Sequence, residues 1–184
     1  MEFSEITKKL DDLLGKVDLS KTTEEGVKTT LPDGYYLCMV SKAELKSSKS
    51  SGNPMVSIEY TTLEDGQKQI KDDDGFTQLA PAPGTKDKKI YSNYVFTQEK
   101  SVTFFVSDML KFQDLESDEP FFNKETDFAD SEAIVKVCDA LVEGGTIYLM
   151  LQTIERTNEN GEKVTDQKVN PISWNKARKL GLLE

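Results

Sequence analysis

Apolar and polar positions alternate through much of this chain, and the alternation predicts strands. From Tyr35 to Leu45, aromatic, apolar and β-branched residues gather behind an Asp33-Gly34 turn signal. From Met55 to Leu63, Val56, Ile58 and Tyr60 alternate with Ser57, Glu59 and Thr61, the period of two of a half-buried strand. The polar stretch 46–54 joins them, with Lys46 and Lys49 among serines, Gly52 and Asn53 for the turn, and Pro54 at the start of a strand. A third strand is predicted over Lys89–Thr97, with Tyr91, Tyr94 and Phe96. A fourth runs over Thr146–Arg156, and a fifth over Lys163–Trp174 with an interruption at Pro171.

A second period, near 3.6, marks helices. Phe3, Ile6, Leu10, Leu13 and Leu14 predict a short amphipathic helix over 3–14, capped by Ser4 and stopped at Gly15. It either packs on the domain or docks a partner or a second copy. Val102, Phe105, Val106, Met109 and Leu110 predict another over 101–115 with Ser101 as its cap. Ile134, Val135, Cys138, Leu141 and Val142 predict a third over 132–143, capped by Ser131 and ended by Gly144 and Gly145. Between these elements, 16–31 reads as a linker, 64–88 as a long loop and 114–132 as an acidic solvated connection. The organisation expected is a helix and linker over 1–31, one domain over 32–174 and a tail over 175–184.

The fold class is therefore mainly β with α insertions. Two strands, a long loop, a third strand, helices, a fourth strand, a hairpin and a fifth strand make the connectivity of a five-stranded oligonucleotide-binding (OB) barrel. In that fold the strand 2–3 face and the loops after strands 1 and 4 hold single strands. The corresponding cations are Lys42, Lys46, Lys49, Lys89, Arg156 and Lys163. Tyr60 and Tyr91 are the expected base platforms, with Tyr94 and Phe96 in the core. Tyr60 shares a side with Val56 and Ile58, so turning it outward requires a twist or bulge. Trp174 is expected to close the barrel as a packing residue.

Composition narrows the chemistry. The 184 residues contain no histidine, which removes Ser/His and Cys/His nucleophilic machinery and histidine metal sites. Asp72, Asp73, Asp74 and Gly75 lack the alternating ligands of a calcium loop and read as a turn. The expectation is a non-enzymatic protein with no cofactor and no metal. A net charge of −10 argues against general affinity for nucleic acid but allows a local basic track. Cys38 and Cys138 sit in apolar patterns and read as buried free thiols of a reducing cytoplasm. No apolar run is long enough to span a membrane and the charged N-terminus is unlike a signal peptide, so a cytoplasmic location with no membrane partner is expected.

The stretch DGYYLCMVSKAELKSSKSSGNPMVSIEY, then KKIYSNYVF, then a helix leading into GGTIYLML, resembles the tailed-phage single-stranded-DNA-binding proteins long filed as a domain of unknown function. Gly52-Asn53-Pro54-Met55 within the Lys/Ser loop is the most specific element, and the resemblance covers residues 33–174. It implies an OB fold and a role coating single-stranded DNA during phage replication or recombination in the host bacterial cytoplasm. Phage or host replication and recombination proteins would be further partners. The alternative expectation is a phage protein–protein module on an OB-like barrel, an anti-host or assembly factor without DNA binding. A carboxylate- or metal-dependent phosphoesterase using Asp72–Asp74 is the least supported class.

Overall fold

The computed structural model describes residues 22–23, 26–27, 31–71, 77–113, 120–157 and 161–183. The chain divides into two units, Met1–Leu31 and Pro32–Glu184. In the first, β1 (Thr22–Thr23) and β2 (Gly26–Val27) pair antiparallel within the stretch expected to be a linker. The helix expected over 3–14 lies outside the described residues.

The second unit is mainly antiparallel β sheet. Its elements are β3 (Gly34–Ser47), β4 (Pro54–Thr62), β5 (Gly66–Lys71), β6 (Thr77–Ala82), β7 (Lys89–Val95), α1 (Glu99–Met109), α2 (Ser131–Gly144), β8 (Thr146–Thr157), β9 (Lys163–Ile172) and α3 (Trp174–Lys179). β3 is the central strand. β4 and then β7 lie on one side of it, and β8 and then β9 on the other. No ladder among the described residues joins β7 to β9, so the sheet is not closed into a barrel by hydrogen bonds. No described helix is long and apolar enough to cross a membrane.

The inner face of the sheet carries the core. Tyr36, Cys38 and Val40 of β3 are buried there with Val56, Ile58 and Tyr60 of β4, Ile90 of β7, and Ile147, Leu149 and Leu151 of β8. β3 changes parity part-way. Its register with β4 slips between Val40 and Lys42, a β-bulge that leaves Ser41 extra. Beyond it the inward positions become Ala43 and Leu45, opposite Ile58 and Val56, while Lys42, Glu44 and Lys46 point out. α2 packs against β3 and leads straight into β8, and Val40 N donates to Gly145 O at 2.8 Å. α1 inserts Phe105, whose ring meets Tyr94 and Phe96 edge-on at 5.2 and 5.5 Å between centroids.

Both helix starts differ from the sequence expectation by one or two residues. α1 begins at Glu99 behind Gln98. Ser101 is its third residue, with Oγ accepting from Thr97 N and Gln98 N at 3.1 and 3.2 Å. α2 is capped by Asp130, which accepts from Ala133 N at 2.8 Å, a stronger acceptor than the Ser131 hydroxyl. On α2 the buried face is Ile134, Val137, Cys138 and Leu141, while Val135 and Val142 are exposed. On α1 Val102 is exposed too. Both thiols are free and buried, and burial pushes Cys138 up to about 11 and raises Cys38 further.

The stretch 64–88 is largely a hairpin, β5 with β6, added to the start of β3. Its strands are polar, which hid them from periodicity. The chains approach closely where they cross. A Cβ on Gly34 would lie 2.2 Å from Gln67 O, and one on Gly66 2.3 Å from the Tyr36 ring. Thr62 and Thr85, both buried, fasten the base of the hairpin. Thr62 Oγ1 donates to Thr85 O at 2.6 Å, and Gly66 N donates to Thr85 Oγ1 at 2.8 Å. Within the acidic connection, Phe122 is buried and stacks edge-on with Phe112, Phe121 and Phe128, so this part is packed as well as solvated. Asp72–Asp74 lie outside the described residues.

A second apolar cluster covers part of the outer face. Tyr35, Tyr148, Ile172, Trp174 and Ala177 are buried together, with Leu37, Met150, Leu180, Leu182 and Leu183 against them. Residues 175–183 are thus docked on the sheet. The expected interruption at Pro171 is absent, because Pro171 stays in register opposite Leu149 on the edge strand, where its missing donor costs no ladder bond.

Candidate nucleic-acid interface

The C-terminal helix leaves uncovered the outer face of β3, β4 and β7. The register sets its side chains in rows across three strands. Lys42, Glu59 and Tyr91 form one row, Glu44, Ser57 and Asn93 the next, and Lys46, Met55 and Val95 the third. Thr61 and Lys89 stand on the other side of the first row, with Met39 opposite Thr61. This is a sheet face with one large aromatic, Tyr91, 51% exposed.

The bulge at Ser41 makes the face. Without it the alternation that buries Tyr36, Cys38 and Val40 would carry Lys42, Glu44 and Lys46 inward, where unpaired ammonium groups are untenable. Ser41 Oγ secures the bulge by donating to Glu59 O at 3.2 Å and to Glu59 Oε1 at 3.1 Å.

Tyr60 is not on this face. It is fully buried, since β4 runs without irregularity and keeps Tyr60 in phase with Val56 and Ile58. The bulge that would have been needed to turn it lies on β3. Burial, with Asp108 nearby, raises its phenol far above the ordinary value. Tyr94 and Phe96 are half-buried against Phe105, and Tyr94 OH donates to Asp108 Oδ2 at 3.0 Å.

The cations divide into two groups. Lys42, Lys46 and Lys89 share the outer face, and each meets a carboxylate. Lys42 lies 3.1 Å from Glu44 Oε2, Lys46 pairs with Oε1 of the same residue, and Lys89 lies 2.8 Å from Glu59 Oε1. These bonds, from Lys46 and then Lys42, hold the Glu44 carboxyl below the usual range. Lys89 first, and also Ser41 and Tyr91, do the same for Glu59. Lys49 is exposed in the 48–53 turn, which is closed by Ser48 N to Asn53 O and Gly52 N to Ser48 O, both 2.8 Å.

Arg156 and Lys163 are not brought to this group. β8 runs antiparallel to β3, so Arg156 lies beyond the Gly34 end of that ladder and Lys46 beyond the other. Arg156 opposes Val164 and Lys163 opposes Thr157, adjacent rungs that put the two cations on opposite faces of the β8–β9 ribbon. Arg156 also pairs with Asp166.

Sequence reasoning about cations missed Glu44 and Glu59. Their signal was present, since Lys42, Glu44 and Lys46 recur at a spacing of two and must share a face. No cluster of His, Cys, Asp or Glu among the described residues is arranged to hold a metal ion. No protein-family model matches the chain, and no curated protein is significantly similar to it.

Proposed function

We propose that this chain is an OB-like single-strand-binding protein, taking single-stranded DNA across the outer face of β3, β4 and β7. Three features support the reading. The strand order β7-β4-β3-β8-β9, with the helices α1 and α2 inserted between β7 and β8, follows OB connectivity. The sequence resembles the tailed-phage single-stranded-DNA-binding proteins over 33–174. The observation that carries the reading is Tyr91, a half-exposed ring flanked by Lys89 on its own strand and in one row with Lys42. An exposed ring offers its π-face to any base and nearby ammonium groups neutralise the phosphates, which is how sequence-tolerant single-strand binders work. The role that follows is coating and protecting single strands during phage DNA replication or recombination in the host bacterial cytoplasm.

The test is fluorescence anisotropy with labelled oligo-dT and a duplex of equal length over a salt series. The wild type binds dT well above duplex and weakens as salt rises. A protein that binds neither strand sinks the reading. The alternative, a protein-interaction module on the same scaffold, is favoured by the pairing of the face cations with carboxylates and by the exposed Val102 and Phe104 of α1. It predicts no dT binding at any salt.

A further inference from the structure

We infer that Glu59 reads bases on this face and gives it a preference for those carrying an exocyclic amino group, cytosine above thymine. The inference rests on the single-strand reading of β3, β4 and β7. Glu59 is the direct cross-strand partner of Tyr91, and opposed residues on one face stand about 4.5–5.5 Å apart at Cβ. The Tyr91 side chain hydrogen-bonds to the Glu59 carboxylate. Ring and carboxylate are thus neighbours in one row of the face, which puts Glu59 within reach of the edge of a base stacked on Tyr91.

The carboxylate is fixed in place. Lys89 Nζ and Ser41 Oγ both bond Oε1, at 2.8 and 3.1 Å, and the side chain is only 19% exposed. A fixed carboxylate turns a phosphate away by like charge and meets the base instead. It can only accept hydrogen bonds. Cytosine offers N4–H₂, whereas thymine presents the O4 carbonyl at the same position, lone pair against lone pair. Rejection of the wrong group is thereby built in, beside attraction of the right one.

The experiment compares three labelled homopolymers of equal length at one salt concentration. They are oligo-dC, oligo-dT, and a strand of pyrimidin-2-one nucleotides, which is cytosine without its amino group. Wild-type protein should bind dC about five-fold or more tightly than dT, with the pyrimidinone strand near dT. Glu59→Gln, checked for an unchanged melting temperature, should close the gap, because the amide can also donate to O4. Equal affinity of wild type for all three strands overturns the inference while leaving single-strand binding intact. A dC preference that survives loss of the amino group, or survives in folded Glu59→Gln, overturns it too. Absence of binding to every strand is the separate failure of the reading beneath it.

Discussion

Trp174 stacks edge-on against Tyr148, with ring centroids 5.5 Å apart and planes at 78°. The contact joins the first residue of α3 to β8 and lies in the cluster that covers part of the outer face. Trp174 is 3% exposed, so its emission should be blue-shifted and should change little when saturating dT is added. Strong quenching by dT would place the indole in the site. Its N–H meets no hydrogen-bond acceptor among the described residues. Trp174→Phe should therefore destabilise far less than Trp174→Ala, for which a loss of about 3–5 kcal/mol is expected in denaturant unfolding.

Tyr91→Ala should leave the melting temperature unchanged and weaken dT binding about five-fold or more, the loss expected for one stacking platform. Phe105→Ala is the counterpart. Phe105 is fully buried among Tyr94, Phe96 and Phe128, and its truncation should cost about 3–5 kcal/mol of stability. A Tyr91→Ala protein that melts early and binds normally would mean that the ring is structural.

The pairing of Lys42 and Lys46 with Glu44 sets the electrostatics of binding. A phosphate that takes these lysines must displace a carboxylate, and exposed pairs are weak enough for that. Glu44→Gln should therefore bind dT about three-fold more tightly, with a steeper dependence on salt. Replacing Lys46 and Lys49 together by Ala should weaken dT and dC alike and reduce the log–log salt slope by about 0.7 for each phosphate no longer neutralised. A slope unchanged by either substitution would remove these lysines from the interface.

Acid should loosen the same face. Glu44 and Glu59 have folded-state values held below 4.5, so their contribution is present above 4.5 and is lost as pH falls through the depressed values. The melting temperature should decline below about pH 4.5, less steeply in Glu44→Gln/Glu59→Gln. Identical acid profiles for the two proteins would show that the pairs add nothing to folding.

The thiols provide a check on packing. Cys38 is fully covered and Cys138 nearly so, and burial disfavours both thiolates. At pH 8 a disulfide-exchange reagent should react with neither in the native protein and with both in denaturant. Fast reaction of Cys138 in the native state would mean that α2 opens away from β3.

Much of the sheet was legible because period-2 alternation in β4 and β7 meets little competition. β5 and β6 were not, because their polar residues depend on tertiary docking onto β3 and on the two glycines that allow it. Tyr60 is a core residue and not a base platform, as its parity with Val56 and Ile58 indicates, because the bulge that would turn it outward lies on β3 and not on β4. The switch from buried Cys38 and Val40 to inward Ala43 and Leu45 was also readable as a change from even to odd positions. It goes unseen when a strand is treated as one uninterrupted pattern. Glu44 is legible from its spacing of two with Lys42 and Lys46, whereas the place of Glu59 beside Lys42 and Tyr91 depends on the register of β4 with β3 and β7, which the sequence does not carry.

The bulge at Ser41 works as a frame for everything that follows it in β3. Substituting Ser41 removes two hydrogen bonds and leaves the count of residues alone, so the outward set is kept. Deleting it keeps the outward set as well, because Lys42 then follows Val40 directly and the pairs Val40–Tyr60 and Lys42–Glu59 become consecutive rungs of a regular ladder. What the surface cannot tolerate is Ser41 entering the ladder opposite Glu59, which would set Lys42 over Ile58 and Glu44 over Val56, so the face depends on one residue staying out of the pairing.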